Sequence, residues 1–225
     1  MVADDVTGSI AWDSGLLLQR ALLCHEAATA LDVELPPTDV LELGAGTGSM
    51  ACALAVRWPC LKRYWATDLP ARVDEIDRAG CSAGISPDVL MARPLTFGEA
   101  PPAPRPTATS LLVLLADVIY FAGKDVLEAD TLEPLCETLS LTLSSHPNAA
   151  CVMTYRERDV LREDVFRTMC ANRGMLVCDP LGAAALEALL PRDEQRDVEA
   201  SGPLRLCTIC ASPSTLVPCS ISRDV

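Results

Sequence analysis

VLELGAGTGSMACALA, residues 40–55, sets three glycines at alternate positions between an aliphatic run and an alanine-rich run. Residues 39–43 are short, aliphatic and followed by glycine, which is typical of a strand buried on both faces. Residues 48–57 have the pattern of a helix. Glycine permits positive φ at a sharp turn and removes the side chains that would keep the backbone away from a ligand. The segment therefore predicts a strand, a ligand-binding glycine loop and a helix.

The spacing of the glycines distinguishes between two classes of ligand. A dinucleotide-binding loop has glycine at its first, third and sixth positions, but counting from Gly44 the third is Gly46 and the sixth is Ser49. The pattern is instead Glu-x-Gly-x-Gly-x-Gly and begins at Glu42. A carboxylate there would repel a diphosphate and attract an ammonium group. We therefore predict S-adenosylmethionine, which lays its amino-acid end across such a loop, in preference to NAD.

The acidic composition limits the classes of partner. The 225 residues carry a formal net charge of -13, whereas a nucleic-acid-binding protein would present a basic face. We therefore expect no nucleic-acid partner and favour basic protein segments. The longest apolar run, residues 111–123, is interrupted by Asp117 and is too short to cross a bilayer. With no charged-then-apolar leader at the start, we expect a cytoplasmic protein that does not associate with membranes and acts as a monomer.

Strand and helix patterns alternate along the chain. Further strands are predicted at residues 62–67, 88–95, 110–117, 149–155, 175–179 and 203–211. Further helices are predicted at residues 13–31, with Asp13 or Ser14 as N-cap, and at 69–80, 131–145, 160–173 and 182–190. Such alternation predicts an α/β fold with a mostly parallel sheet and helices on both faces. We interpret residues 1–225 as a single domain with an N-terminal helical segment (1–37), a core (38–211) and a tail (212–225).

Candidate functional residues follow four of the predicted strands. The glycine loop, Asp68, Phe97 and Asp117 come just after the first, second, third and fourth strands. In open parallel sheets, ligands bind outside the carboxyl ends of the strands. We therefore expect these residues to converge on one crevice.

The cysteines and histidines give little support to a metal site or to a Ser/His/Asp triad. Most of the eleven cysteines lie singly in apolar patterns, where a thiol behaves as a small hydrophobe. The only close pair, Cys207 and Cys210, lies in a predicted strand and has no second pair or histidine nearby. We therefore predict no metal.

Six short motifs carry a resemblance to a known family. They are AWDSG (11–15), LELGAGTG (41–48), TDLP (67–70), LTFGE (95–99), ADVIY (116–120) and CVMTYRERD (151–159). Between residues 10 and 211 the chain resembles class I, seven-β-strand S-adenosylmethionine-dependent methyltransferases. More narrowly, it resembles the protein-lysine methyltransferases that modify chaperones, valosin-containing protein and translation elongation factors. The resemblance implies a Rossmann-like seven-stranded sheet with one antiparallel strand near the C-terminus, and N-methylation of lysine on a non-histone protein.

The resemblance also assigns contacts with the cofactor. It implies that Glu42 and the glycines hold the methionine part and that Asp68 accepts hydrogen bonds from both ribose hydroxyls. Trp12 would cover the cofactor from the N-terminal segment, and Phe97 stands where the family usually has tryptophan beside the adenine. The predicted set of cofactor-binding residues is Trp12, Glu42, Gly44, Ala45, Gly46, Gly48, Asp68, Leu69, Phe97 and Ala116.

Asp117 and Tyr120 are the predicted catalytic residues. They match the Asp-x-x-Tyr that follows the fourth strand in the lysine methyltransferase group. By this interpretation, Asp117 captures and aims the substrate lysine, whereas Tyr120 forms the wall of the pocket. The proton that the amine loses passes to water.

Several of these residues have a purely structural alternative. Asp68 could cap the following helix, Trp12 could cover the core, Asp117 could cap a turn and Tyr120 could only pack. Arg156 and Arg158 are expected to be solvated charges or partners of nearby acids, and not catalytic groups.

Two other functions are consistent with the same motifs. One is methylation of a small molecule or of a protein histidine, since a fold does not determine its substrate. The other is a cofactor-binding adaptor without catalysis, for which the replacement of tryptophan by Phe97 is the only indication.

Overall fold

The computed structural model describes residues 13–102, 110–119, 131–146, 148–158, 160–195 and 202–212. The strands are β1 (Asp39–Leu43), β2 (Arg63–Asp68), β3 (Leu90–Pro94), β4 (Leu111–Ala116), β5 (Ala150–Arg156), β6 (Met175–Cys178) and β7 (Leu204–Ala211). The helices are α1 (Asp13–Leu23), α2 (His25–Ala30), α3 (Ser49–Arg57), α4 (Pro70–Ser82), α5 (Leu132–Ser145), α6 (Val160–Asn172) and α7 (Ala183–Leu189). Every predicted strand is present, with ends displaced by no more than about two residues.

The strands form one sheet in the order β3-β2-β1-β4-β5-β7-β6. All neighbouring strands are parallel except that β7 runs antiparallel to both β5 and β6. The predicted fold class, a mostly parallel seven-stranded sheet with one antiparallel strand near the C-terminus, is thereby confirmed. The strand order reverses between β1 and β4, and the carboxyl ends of these two strands flank the crevice at which such sheets bind ligands.

Helices cover both faces of the sheet, as predicted. Side chains alternate between the two faces along each strand, so Val40 of β1 packs on one face while Leu41 and Leu43 pack on the other. Buried residues of α1, α3, α4 and α7 belong to the first core, whereas those of α5 and α6 belong to the second.

The first predicted helix differs from the structure in two respects. Residues 13–31 form two helices, because Cys24 adopts an extended backbone (φ -88°, ψ 120°) between α1 and α2. This break changes the direction of the chain and brings Ala27 into the same core as α1. Asp13 and Ser14, the predicted N-caps, already lie inside α1 and are both 2% exposed.

No helix within the described parts of the chain is long and apolar enough to cross a membrane. The division into segments 1–37, 38–211 and 212–225 stays a prediction.

Candidate cofactor and substrate site

The glycine loop between β1 and α3 has a backbone that suits glycine. Gly44, Gly46 and Gly48 have φ values of 77°, 55° and 73°, in the left-handed region that L side chains rarely adopt. A Cβ on Gly44 would lie 3.0 Å from Val118 Cγ1, and one on Gly48 would lie 3.1 Å from Ile76 Cγ2. The loop is therefore a tight backbone cradle, and the predicted order of strand, loop and helix is confirmed.

Asp68 connects the end of β2 to this loop. Its Oδ2 accepts a hydrogen bond from the Gly46 N–H at 2.6 Å, and its Oδ1 accepts one from the Leu69 N–H at 2.7 Å. The N-cap position of α4 is Leu69, and that position has no side-chain capping bond. The carboxylate is therefore turned toward the glycine loop and does not cap α4 as its N-cap residue. Its contact with the ribose hydroxyls stays a prediction.

Glu42 lies buried on β1, next to the glycine loop. Its side chain is 3% exposed, and its Oε2 accepts a hydrogen bond from the Tyr64 hydroxyl at 2.7 Å. Burial raises the pKa of Glu42 to about 8, the Tyr64 hydrogen bond opposes this rise, and the charge of Asp68 adds to it. The carboxyl is therefore largely protonated near neutral pH. Its contact with the cofactor's ammonium stays a prediction.

The remaining predicted cofactor residues lie at the ends of other elements. Leu69 is 45% exposed at the start of α4, whereas Ala45 in the loop is 8% exposed. Phe97 is partly buried against the core on the α5 face. A Cβ built on Gly15 would lie 3.9 Å from the Cβ of Ala116, so the start of α1 lies close to the end of β4. Trp12, which precedes α1, lies outside the described residues.

Asp117 follows β4 in a left-handed conformation, with φ of 56°. Such a conformation is uncommon for a residue other than glycine, although aspartate tolerates it. Its N–H donates to the Thr154 carbonyl at 2.8 Å. Its carboxylate accepts two hydrogen bonds from Arg158, at 2.7 and 3.0 Å, and one from the Arg156 N–H at 3.3 Å. Tyr120, the other predicted catalytic residue, lies outside the described residues.

Arg156 forms a buried ion pair that the sequence did not reveal. Its Nη2 lies 3.0 Å from Asp13 Oδ2, and the two side chains are 6% and 2% exposed. The guanidinium also donates to the Gly202 carbonyl and to the Gln195 side chain. The expectation of a solvated Arg156 is therefore wrong, whereas the alternative, pairing with an acid, is confirmed. Its position at the end of a strand pattern was the only available signal.

A hydrogen bond from the Thr154 hydroxyl to the Ser14 carbonyl, at 2.7 Å, also joins α1 to β5. Together with the Asp13–Arg156 pair, it fixes the start of α1 on the end of β5. The start of α1 therefore lies next to the crevice.

The Cys207 and Cys210 pair does not form a ligand set. Cys207 is buried and Cys210 is exposed, since residues three apart on a strand point to opposite faces. The two thiols cannot bind one ion together.

A family model for lysine methyltransferases matches residues 2–172. The chain belongs to the lysine methyltransferase family. No curated protein sequence matches it significantly. The family match confirms the resemblance that the six motifs indicated.

The chain shares its fold with methyltransferases of known structure. The mitomycin 7-O-methyltransferase MmcR is 14% identical, with 87% of this chain and 54% of that chain covered and a TM-score of 0.55. PKMT2 from Rickettsia typhi is 10% identical, with 90% and 54% covered and a TM-score of 0.55. Ribosomal protein L11 methylase from Lactobacillus delbrueckii subsp. bulgaricus is 13% identical, with 88% and 77% covered and a TM-score of 0.52. At such identities the likeness shows the fold alone, and this chain spans about half the length of the first two structures.

The residues of the crevice fit S-adenosylmethionine. The loop has no side chain at three positions, so a ligand can approach its backbone. Glu42 and Asp68 add carboxyl groups on the β1 and β2 sides, which suit an ammonium group and a pair of hydroxyls. Family membership and this geometry identify S-adenosylmethionine as the cofactor.

Proposed function

We propose that the protein is an S-adenosylmethionine-dependent protein-lysine N-methyltransferase acting on a non-histone protein. The observation that carries this proposal is the position of Asp117 beside the glycine loop. Val118, the next residue, packs against Gly44, where an added Cβ would lie only 3.0 Å from its side chain. Asp117, whose carboxylate can receive an amine, thus directly precedes a residue that packs on the loop that would hold the methyl donor.

The chemistry requires a neutral amine. A free lysine has a pKa of about 10.4, so only about one part in a thousand is neutral near pH 7.4, a cost of roughly 4 kcal/mol. When bound, S-adenosylmethionine would supply a methyl group carried on a sulfonium sulfur. The amine's lone pair would form a bond to that methyl carbon as the carbon–sulfur bond breaks, and the sulfur would leave as the neutral thioether of S-adenosylhomocysteine. Asp117 aims the amine, and the proton leaves to water. Most of the rate enhancement comes from positioning the two groups.

The charge of the chain favours a basic protein segment as substrate. At a net charge of -13, the protein attracts lysine-rich surfaces and repels nucleic acid. A chaperone, an ATPase or an elongation factor is the class of substrate that the resemblance suggests. One structural neighbour is, by its name, a methylase of ribosomal protein L11, so this fold accommodates protein substrates. We further propose a cytoplasmic monomer.

A second candidate is methylation of a small molecule. The start of α1 lies close to Ala116 at the end of β4, so α1 begins beside the crevice and covers part of it. A covered crevice suits a small acceptor better than a protein surface. The structural neighbour MmcR is, by its name, a mitomycin 7-O-methyltransferase.

The deciding experiment uses radiolabelled S-adenosylmethionine, a cell lysate and two forms of the protein. We expect the native chain to label a protein on lysine, and Asp117→Asn to do so at least about tenfold more slowly, equivalent to about 1.4 kcal/mol in the transition state. The substitution removes the charge that attracts an ammonium group but keeps the size of the side chain. The labelled residue is identified by hydrolysis and amino-acid analysis.

Cofactor binding and thermal unfolding of Asp117→Asn serve as the control, and both should stay close to those of the native chain. Equal labelling by a well-folded Asp117→Asn protein would remove Asp117 from the proposed role. Label found on histidine, or only on small molecules, would favour the corresponding alternative, and cofactor binding without any labelling would favour an adaptor.

A further inference from the structure

The carboxylate proposed to receive the substrate lysine already holds an internal cation. Arg158 Nη2 lies 2.7 Å from Asp117 Oδ2 and Arg158 Nη1 lies 3.0 Å from Oδ1, a bidentate pair joining residues 41 positions apart. The Asp117 side chain is only 6% exposed, whereas that of Arg158 is 33% exposed. The guanidinium therefore forms the outer cover of the carboxylate.

The hydrogen bonds of Asp117 leave room for one more donor. A carboxylate has about four acceptor positions, two on each oxygen. Among the described residues, Oδ1 accepts from the Arg156 N–H and from Arg158, whereas Oδ2 accepts only from Arg158. One acceptor position on Oδ2 therefore remains while Arg158 stays in place. An amine that donates a single hydrogen bond there has its lone pair available for reaction.

A carboxylate beside the reacting amine creates an electrostatic conflict. It attracts the ammonium form, but it also stabilises that form and opposes the loss of the proton. A guanidinium is always charged in proteins. When it is bound to the carboxylate, the pair has no net charge and the stabilisation of the ammonium form is weaker, while the remaining hydrogen bond to Oδ2 can still orient the amine.

The neighbouring charges are already compensated by other partners. From α1, Asp13 pairs with the Arg156 guanidinium, and from β7, Arg205 pairs with Glu157. Across the crevice, Asp68 binds the backbone of the glycine loop and Glu42 is bonded to Tyr64. In the described part of the chain, Arg158 is thus the cation whose charge acts most directly on Asp117.

We propose that Arg158 is a positioning residue that remains paired with Asp117 during methyl transfer, so that Asp117 orients the amine without holding its proton. This inference rests on the proposed function. The competing arrangement is a gate, in which Arg158 leaves the carboxylate and the substrate ammonium takes its place. The two arrangements make different predictions for Arg158→Gln, since the pH profile of kcat moves if the pair persists and stays in place if Arg158 leaves.

The test is Arg158→Gln, assayed on the protein that the radiolabelling experiment identifies. We expect the acidic limb of the pH profile of kcat to move upward by about one pH unit, because the uncompensated carboxylate stabilises the ammonium form. At a pH on the acidic side of that limb, kcat of the variant should be about tenfold lower than kcat of the native chain. KM at neutral pH should fall, because the ammonium form binds more tightly. Arg158→Lys, which keeps the charge, should retain a profile close to that of the native chain.

A second measurement does not depend on turnover. The probe is n-butylamine, which has the side chain of lysine, titrated calorimetrically at pH 7 into protein saturated with S-adenosylhomocysteine. We expect Arg158→Gln to bind the probe severalfold more tightly than the native chain. Arg158→Met, which keeps the apolar stem and removes the charge, provides a second neutral variant if the glutamine variant is unstable.

The matched control is Arg173→Gln, which removes the partly exposed arginine that pairs with Glu133 near the other end of α6. It should change neither the pH profile nor the binding of the probe. A lower KM with an unmoved pH profile in Arg158→Gln would establish the gate and overturn the proposal. An unmoved profile with an unchanged KM would also overturn the proposal, without supporting the gate. If Asp117→Asn slows lysine methylation in the same assay, such a result contradicts only the role of Arg158. Absence of lysine methylation by the native chain contradicts the proposed function itself.

Discussion

The two sides of the crevice differ in what their aspartates bind, which is backbone amides on the β1 and β2 side and arginine side chains on the β4 and β5 side. Asp68 binds the Gly46 and Leu69 amides. Asp117 and Asp13 instead bind the guanidinium groups of Arg158 and Arg156. The first side presents fixed backbone dipoles, which suit a cofactor of constant shape. The second presents charges in pairs, which suit a substrate whose own charge must change during the reaction.

The largest effect should come from breaking the buried pair on the β4 and β5 side. Arg156→Gln leaves Asp13 buried without its charged partner, and such a change typically costs about 3–5 kcal/mol of unfolding free energy. Urea unfolding followed by circular dichroism measures this loss. Arg173→Gln, at a partly exposed pair, should cost no more than about 1 kcal/mol.

Replacing both partners sharpens this comparison. Asp13→Asn combined with Arg156→Gln removes both charges, so part of the stability lost in the single variant should return. A cost below about 1 kcal/mol for Arg156→Gln alone would show that the pair is a surface-like contact, and the contrast between the two sides would lose its basis.

A smaller effect, and one on binding, is expected on the β1 and β2 side. Asp68→Ala should weaken S-adenosylhomocysteine binding about 100-fold, or about 2.7 kcal/mol, because it removes the proposed acceptor for the ribose hydroxyls and releases the Gly46 amide. Calorimetry measures the affinity, and the melting temperature of the ligand-free protein should fall by only a few degrees. Unchanged affinity with a large loss of stability would restore the structural interpretation of Asp68.

The smallest expected effect is the number of protons that the protein releases when it binds the cofactor. The pKa of Glu42 is about 8 in the folded protein against an ordinary value of 4.5, so between these pH values the folded protein binds more protons than the unfolded one. The contribution of Glu42 to stability is therefore fully present below pH 4.5 and is lost as the pH rises through about 8. An ammonium group bound beside it would restore the carboxylate. Cofactor binding at pH 7 should then release up to about one proton.

Calorimetry in buffers of different ionisation enthalpy counts these protons. Glu42→Gln, which keeps an acceptor for the Tyr64 hydroxyl, should abolish the release while leaving the fold intact. If the variant releases the same number of protons, the protons come from another group and Glu42 does not face the cofactor's ammonium.

The same contrast explains how much could be predicted from sequence. The seven strands and the glycine loop depend on local patterns, namely aliphatic runs and closely spaced glycines, and these were predicted nearly to the residue. The Asp13–Arg156 and Asp117–Arg158 pairs join residues 143 and 41 positions apart, and no local pattern specifies a partner at that distance. The break at Cys24 was also missed, because the helical spacing of apolar residues continues through it and only the shape of the core requires the turn.

The left-handed backbone conformation of Asp117 limits which residues can replace it during evolution. Besides aspartate, glycine and asparagine adopt such a φ at little cost, whereas β-branched and bulky residues do so at considerable strain. In the genetic code, both tolerated replacements are one nucleotide away from an aspartate codon, so the nearest viable mutants are those that abolish the charge. A lineage that changed its methyl acceptor could therefore obtain an uncharged pocket by a single nucleotide change. A bulky apolar residue at this position would first require a different backbone conformation in the turn after β4.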